Sequence, residues 1–343
     1  MARWARTAGS RGAMSVKLQF PFIQLPLRFD AVVLAAEIDA IDEACWLPHP
    51  QGFAGNSMLP LVAVNGDPVD ESFAGSMRAT RHLEACPYLT QVIASLGVTV
   101  GRTRLMRLSG HAEVTRHVDQ GYYWAERVRV HVPIVTQPTV SFECGGATTN
   151  MAAGECWIFD TWRQHRVLND AVESRTHLVV DTVGGSAFWE HVGQGRPYPA
   201  QDEAGGWRPR LVAPQPDATP ALAFETTNVP AVMSPWELSA HLGLLFNDAV
   251  PHPQLMQVQQ VAGRLMRTWR GLWAQFGDSN AGRQHFREAI DRFATDARVP
   301  AQPLMLRNDL SWYSALMTLV IKPAVSDDAA HLDSGEYGMS DRA

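Results

Sequence analysis

The chain has 343 residues, enough for one or two domains. With 46% hydrophobic and 19% charged residues it has the composition of a globular protein, neither fibrous nor disordered. Its net charge of −6 offers no basic surface for nucleic acid or an anionic membrane, and no apolar run reaches the ~18 residues of a spanning helix.

Residues 1–15 are basic and lack the apolar stretch of a secretory signal. They read as a disordered extension, with Met14 as an alternative start. Short β-branched or aromatic segments then predict strands at 16–25, 100–108, 127–135, 138–144, 155–160 and 175–183, separated by Gly, Asn, Asp and Pro turns. Helices are expected at 30–41 and 87–97. The close spacing of strands from 100 to 183 points to a sandwich or barrel instead of a parallel α/β sheet.

Residues 193–233 are rich in Pro and Gly and read as a linker. Helical signals dominate from Ser234 to residue 323. Ser234, Pro235 and Glu237 form a capping-box pattern. Leu255, Val258, Val261, Leu265, Trp269 and Leu272 share one apolar helical face. Trp236, Trp269, Trp273 and Trp312 are expected in the core of this helical region, which shows no chemical motif. Residues 324–343 read as a disordered tail. The four cysteines have neither metal-binding spacing nor disulfide density, so the expected compartment is the cytoplasm. Cys144 and Cys156 fall in strands and are expected to pack as small apolar groups.

A histidine and a carboxylate two residues apart, joined by a distant histidine, can form a facial triad that leaves three positions open on iron. The sequence holds four such pairs: His82/Glu84, His111/Glu113, His117/Asp119 and His331/Asp333. His331 has no histidine after it, and His82/Glu84 reads as a surface turn. His117/Asp119 has the richer context. After it comes a strand on which Arg127, Arg129 and His131 alternate with Val128, Val130 and Val132, one face apolar and the other suited to a polar cavity. His165 follows in a short loop, and Arg175 opens the strand that carries His177 and Asp181 on the same face. An arginine in that place offers a bidentate fork to the far carboxylate of a metal-chelating 2-oxo diacid. His111/Glu113 also precedes His165 and remains a competing pair.

The segments RLSGHAEVTRHVD (107–119), RVHVPI (129–134), GECWIFDTWRQH (154–165), Asn169 and SRTHLVVD (174–181) resemble the aspartyl/asparaginyl β-hydroxylase family of Fe(II)/2-oxoglutarate oxygenases. In pattern they are nearest to bacterial amino-acid hydroxylases such as the L-proline cis-4-hydroxylases. The resemblance implies a mainly β double-stranded β-helix (jelly roll, cupin-like) over 16–192, with flanking helices and an α-helical C-terminal region. By that likeness His117, Asp119 and His165 match the metal ligands, and Arg175 matches the arginine that binds the C5 carboxylate of 2-oxoglutarate. Arg129 and His131 match a pair used for carboxylates of cosubstrate or substrate.

The implied reaction needs Fe(II), 2-oxoglutarate and O2, and hydroxylates an amino acid or a peptide side chain while 2-oxoglutarate becomes succinate and CO2. An intact Asp119 argues against a halogenase. Arg129, Arg127 and Arg107 are candidates for a substrate carboxylate, and Tyr122, Tyr123 and Trp124 either close over the substrate or pack at the barrel mouth. Asn169 reads as a turn residue. The alternative function is a non-catalytic cupin-like binding domain, or an oxygenase of a lipid or natural product.

Overall fold

The computed structural model describes residues 18–50, 52–199 and 206–326. The expected terminal extensions lie almost wholly outside these residues. The strands in chain order are β1 (Phe22–Phe29), β2 (Leu47–Pro48), β3 (Asn56–Val64), β4 (Met77–Ala79), β5 (Thr99–Leu108), β6 (Glu113–His117), β7 (Val128–Val135), β8 (Val140–Cys144), β9 (Ala147–Thr149), β10 (Glu155–Phe159), β11 (His165–Asn169), β12 (Arg175–Gly184), β13 (Arg196–Tyr198), β14 (Arg210–Val212) and β15 (Ala223–Phe224). The helices are α1 (Ala31–Asp39), α2 (Arg81–Glu84), α3 (Pro87–Ser95), α4 (Tyr122–Ala125), α5 (Ser186–Gly193), α6 (Pro235–Asp248), α7 (Leu255–Phe276), α8 (Arg283–Ala301) and α9 (Trp312–Leu316).

Two sheets make the barrel. The larger runs β13-β1-β10-β7-β12-β5-β3-β2, with β14, β15 and β4 added at its sides. The smaller runs β6-β11-β8-β9. Phe22, Trp157 and Phe159 of the large sheet pack against Phe142 and Val167 of the small one. Facing β-sheets of this order form the double-stranded β-helix expected from the sequence, mainly β with helices outside.

Alternation along the strands explains the layers. Cys156 and Ile158 of β10 point to a core shared with α1 and α3, whereas Trp157 and Phe159 point between the sheets. On β7, Val128, Val130, Val132 and Ile134 join the helix-side core, which turns Arg129 and His131 inward. Gly154 opens β10 at φ +79°, where a Cβ would meet the Phe29 carbonyl at 2.3 Å. Asp30 caps α1 by accepting from the Val32 and Val33 amides.

Several expectations are corrected. The first strand spans Phe22–Phe29, later than the expected 16–25, after a bend over residues 18–21. Strand β3 was not foreseen, because Pro60 interrupts its pattern; the register with β5 slips between Pro60 and Val62, where the missing N–H breaks the ladder. His82 is buried in α2 and not on a surface turn. Within residues 193–233, β13 and β14 lie against β1 and β15 lies against β5.

In the C-terminal region Ser234 caps α6 as expected. The Glu237 carboxylate, however, accepts from the Tyr122 hydroxyl. Trp269 and Trp312 are fully buried and Trp273 partly so, but Trp236 is 74% exposed because it sits in the first turn of α6, off its buried face. Val258, Val261, Leu265 and Trp269 form the buried face of α7. Among the described residues, no helix is long and apolar enough to cross a membrane. All four cysteines are free, and burial pushes the Cys144 thiol up to about 12.

Candidate active site

The small sheet brings the two distant histidines together. His117 ends β6, and His165 starts β11 directly opposite it, in place of the short loop expected from the sequence. Their ring centroids are 4.2 Å apart. Asp119 follows β6 in coil, where its amide donates to the Thr161 carbonyl at 3.1 Å. Ligand atoms from His117, Asp119 and His165 all lie within 4.8 Å of one another, and all three side chains are buried.

Both imidazoles are oriented from behind. His117 Nδ1 faces the Thr115 carbonyl at 2.7 Å, and His165 Nδ1 faces the Arg163 carbonyl at 2.9 Å. A carbonyl can only accept, so each Nδ1 carries a proton, which leaves Nε2 as the nitrogen that can present a lone pair to a metal. The buried Nε2 of His165 has no hydrogen-bond partner, and burial lowers that imidazole's pKa well below its ordinary value. Two imidazole nitrogens and one carboxylate oxygen form a donor set that suits Fe(II), and the backbone carbonyls behind the rings are the outer-shell support such a site needs.

The two histidines of the triad border a cavity of about 590 Å³, mouth included, between the sheets. Its polar wall is Arg104, Arg129, His131 and Arg175. Arg175 Nη2 bonds His177 Nδ1 at 2.9 Å, its Nε has no partner, and burial lowers its pKa to about 9. His131 and His177 are held neutral by burial and by the guanidinium beside them. Arg129 binds Asp119 Oδ2 through Nη1 and Asp181 Oδ1 through Nε, each at 3.2 Å, and stacks over Trp124. Arg104 reaches Asp181 only at 3.8 Å. Three buried guanidinium groups thus face two buried carboxylates, leaving a cationic cavity in a net acidic protein.

The other candidate residues fall into structural roles. Arg127 pairs with buried Glu225 at 2.8 Å, and Arg107 pairs with Glu43 at 2.6 Å and covers Trp46, so neither offers a spare cation. Tyr122 bonds Glu237, Tyr123 accepts from the Arg102 amide and Trp124 supports Arg129, so these aromatics pack and do not close over the cavity. Asn169 donates to the carbonyls of Leu108, Ser109 and Glu173, a turn-holding role. His111 and Glu113 are exposed and take no part in the triad; His331/Asp333 lies outside the described residues. Sequence reasoning missed Arg104, although it shares the inward parity of β5 with Met106, and it missed His49, Phe53 and Asn56, which line the cavity from a loop and from β3.

The small sheet of the β-helix thus gathers two histidines and an aspartate that could hold a metal ion, beside a buried arginine. Residues 71–184 match the model of the aspartyl/asparaginyl beta-hydroxylase family. The chain is 26% identical over 146 residues to L-proline cis-3-hydroxylase 1 of Streptomyces sp, a match covering 38% of this chain and 48% of that protein. It therefore spans about half the length of that curated relative. Among solved structures, a Pseudomonas putida prolyl-4-hydroxylase matches with TM-score 0.35 and 19% identity, over 48% of this chain and 92% of that one. A 2OG-Fe(II) oxygenase-family oxidoreductase from Burkholderia pseudomallei matches with TM-score 0.34 and 12% identity, over 45% and 80%.

Proposed function

We propose that the barrel is an Fe(II)/2-oxoglutarate-dependent dioxygenase that hydroxylates an unactivated C–H of an amino acid or of an aspartyl/asparaginyl side chain. The observation that carries this reading is the convergence of His117, Asp119 and His165, with both imidazoles on the wall of a cavity that also holds a buried, carboxylate-free Arg175. His117, Asp119 and His165 would hold the iron. Bound there with 2-oxoglutarate and O2, iron supplies oxidative decarboxylation to succinate and CO2 together with oxygen insertion into a C–H bond.

The chain's own part is binding and exclusion of water. Arg175 offers its fork to the distal carboxylate of 2-oxoglutarate, an anion that would relieve the cost of a buried unpaired cation. His131 adds a neutral imidazole to the same pocket, and Arg129 holds Asp119 while bordering the cosubstrate space. Arg104 adds further positive charge for a carboxylate-bearing substrate. The amino-acid class is supported by the proline hydroxylase relative.

Anaerobic addition of Fe(II) and 2-oxoglutarate to the purified protein tests the reading. A weak visible band at roughly 500–530 nm is expected for the chelate. Its absence in folded protein would favour a non-catalytic cupin-like domain. Succinate release, screened over the twenty amino acids and aspartyl peptides, then identifies the substrate.

A further inference from the structure

The helical region meets the barrel at the loop that leads into His165. α6 ends at Asp248, whose Oδ2 accepts the Trp162 indole N–H at 3.0 Å. After α8 the chain makes a tight turn over Leu306–Leu310, with Asp309 at φ 68°. That turn presents Asn308. Its Nδ2 donates to the Trp162 carbonyl at 2.9 Å, and its own carbonyl accepts from Gln164 Nε2 at 2.8 Å. The Arg307 amide donates to the Asp248 carbonyl at 3.0 Å, so both holding residues belong to one bonded unit.

Trp162 is therefore gripped at its indole and at its carbonyl, with its ring in the apolar core of the helical region. The loop so gripped does two things for the triad. The Arg163 carbonyl fixes the protonated Nδ1 of His165, and the Thr161 carbonyl accepts the Asp119 amide. A second tie lies beyond Asp119, where the Thr318 hydroxyl donates to the Gln120 carbonyl at 3.1 Å. An imidazole aimed by a loop carbonyl is only as well aimed as the loop is fixed.

We propose that Asn308 and Asp248 are positioning residues of the metal centre: they hold Trp162–Gln164 so that the Arg163 carbonyl keeps His165 Nε2 turned toward His117 and Asp119. The inference rests on the metal-binding reading given above. It makes the helical region a working part of the site, where the sequence showed only a helical addition without chemistry.

The test is cobalt(II) titration of the intact protein, followed by its visible d–d absorption, for wild type, His165→Ala, Asn308→Ala, Trp162→Phe and Ile290→Val. Ile290 lies in the same helical core, on α8, and serves as a stability control. Asn308→Ala and Trp162→Phe are expected to weaken cobalt binding about tenfold and to alter the band shape, while Ile290→Val binds as wild type does. Wild-type affinity and spectrum in Asn308→Ala and Trp162→Phe, with binding abolished in His165→Ala, would overturn the proposal and leave the metal reading standing. Equal binding by wild type and His165→Ala would instead overturn the metal reading. Should Asn308→Ala not fold, Trp162→Phe, which removes the donor to Asp248 and trims the buried ring, decides alone, with Ile290→Val as the control for lost core packing.

Discussion

Arg129 spans the space between two buried carboxylates, its Nη1 3.2 Å from Asp119 Oδ2 and its Nε 3.2 Å from Asp181 Oδ1. The first contact occupies one oxygen of the carboxylate in the proposed metal triad, and the second fixes the guanidinium that makes it. With a metal held at the triad, an arginine so placed would leave Asp119 one oxygen free to bind it. Arg129→Gln should weaken Fe(II) or cobalt(II) binding by ~10-fold, the usual cost of losing an outer-shell partner. The affinity for 2-oxoglutarate, measured at saturating metal, should change less. The reverse order of effects would mean that Arg129 acts mainly on the cosubstrate.

Asp119→Ala should reduce iron-dependent succinate formation by more than ~100-fold with the fold intact by circular dichroism, since it removes a proposed direct ligand. Glu113→Ala should leave turnover unchanged, because that side chain is exposed and outside the triad. Surviving turnover in Asp119→Ala would transfer the carboxylate role to another residue.

Arg175 is a buried cation without a carboxylate partner, and an unpaired buried charge is destabilising. Without cosubstrate, Arg175→Met should therefore melt at a higher temperature than wild type. Added 2-oxoglutarate should stabilise the metal-loaded wild type by ~2.7 kcal/mol at a hundred times its Kd, and the variant at the same concentration by less than ~1 kcal/mol. Removing the clamp should raise the cosubstrate Kd ~30-fold or more, from a loss of ~2 kcal/mol or above. Equal stabilisation of both proteins by 2-oxoglutarate would show that Arg175 is only structural.

Burial raises the Asp248 carboxyl from 3.8 to about 6, against the Trp162 hydrogen bond that lowers it. A carboxyl with a raised folded pKa binds its proton more tightly when folded, so its contribution to stability falls as pH rises from about 4 to about 6. Asp248→Asn keeps an acceptor for the indole but cannot ionise. Its melting temperature relative to wild type should increase across that window and level off above pH 7. A difference independent of pH would remove Asp248 from the pH response.

Local chemistry made much of the barrel legible. The alternation of valines with Arg129 and His131 on β7 predicts one packed and one polar face, and both are observed. Strands β5, β7, β8, β10 and β12 fall within one or two residues of expectation, because β-branched and aromatic runs bounded by turn residues are a local signal. Strand β3 escaped notice because Pro60 hides its period, and β11 because HRVLN is short and pairs only through distant partners.

The amino-acid sequence determined by itself the residue types of the triad, the arginine that follows them and the strand faces on which they lie, since each depends on spacing along one segment. Only the tertiary structure decided that His165 stands opposite His117, that Arg127 and Arg107 are already paired while Arg175 is not, and that Asn308 and Asp248 support the His165 loop. Pairing across sheets and between regions more than eighty residues apart depends on closure of the whole fold, and no local pattern of polar residues records which partner a buried charge will meet.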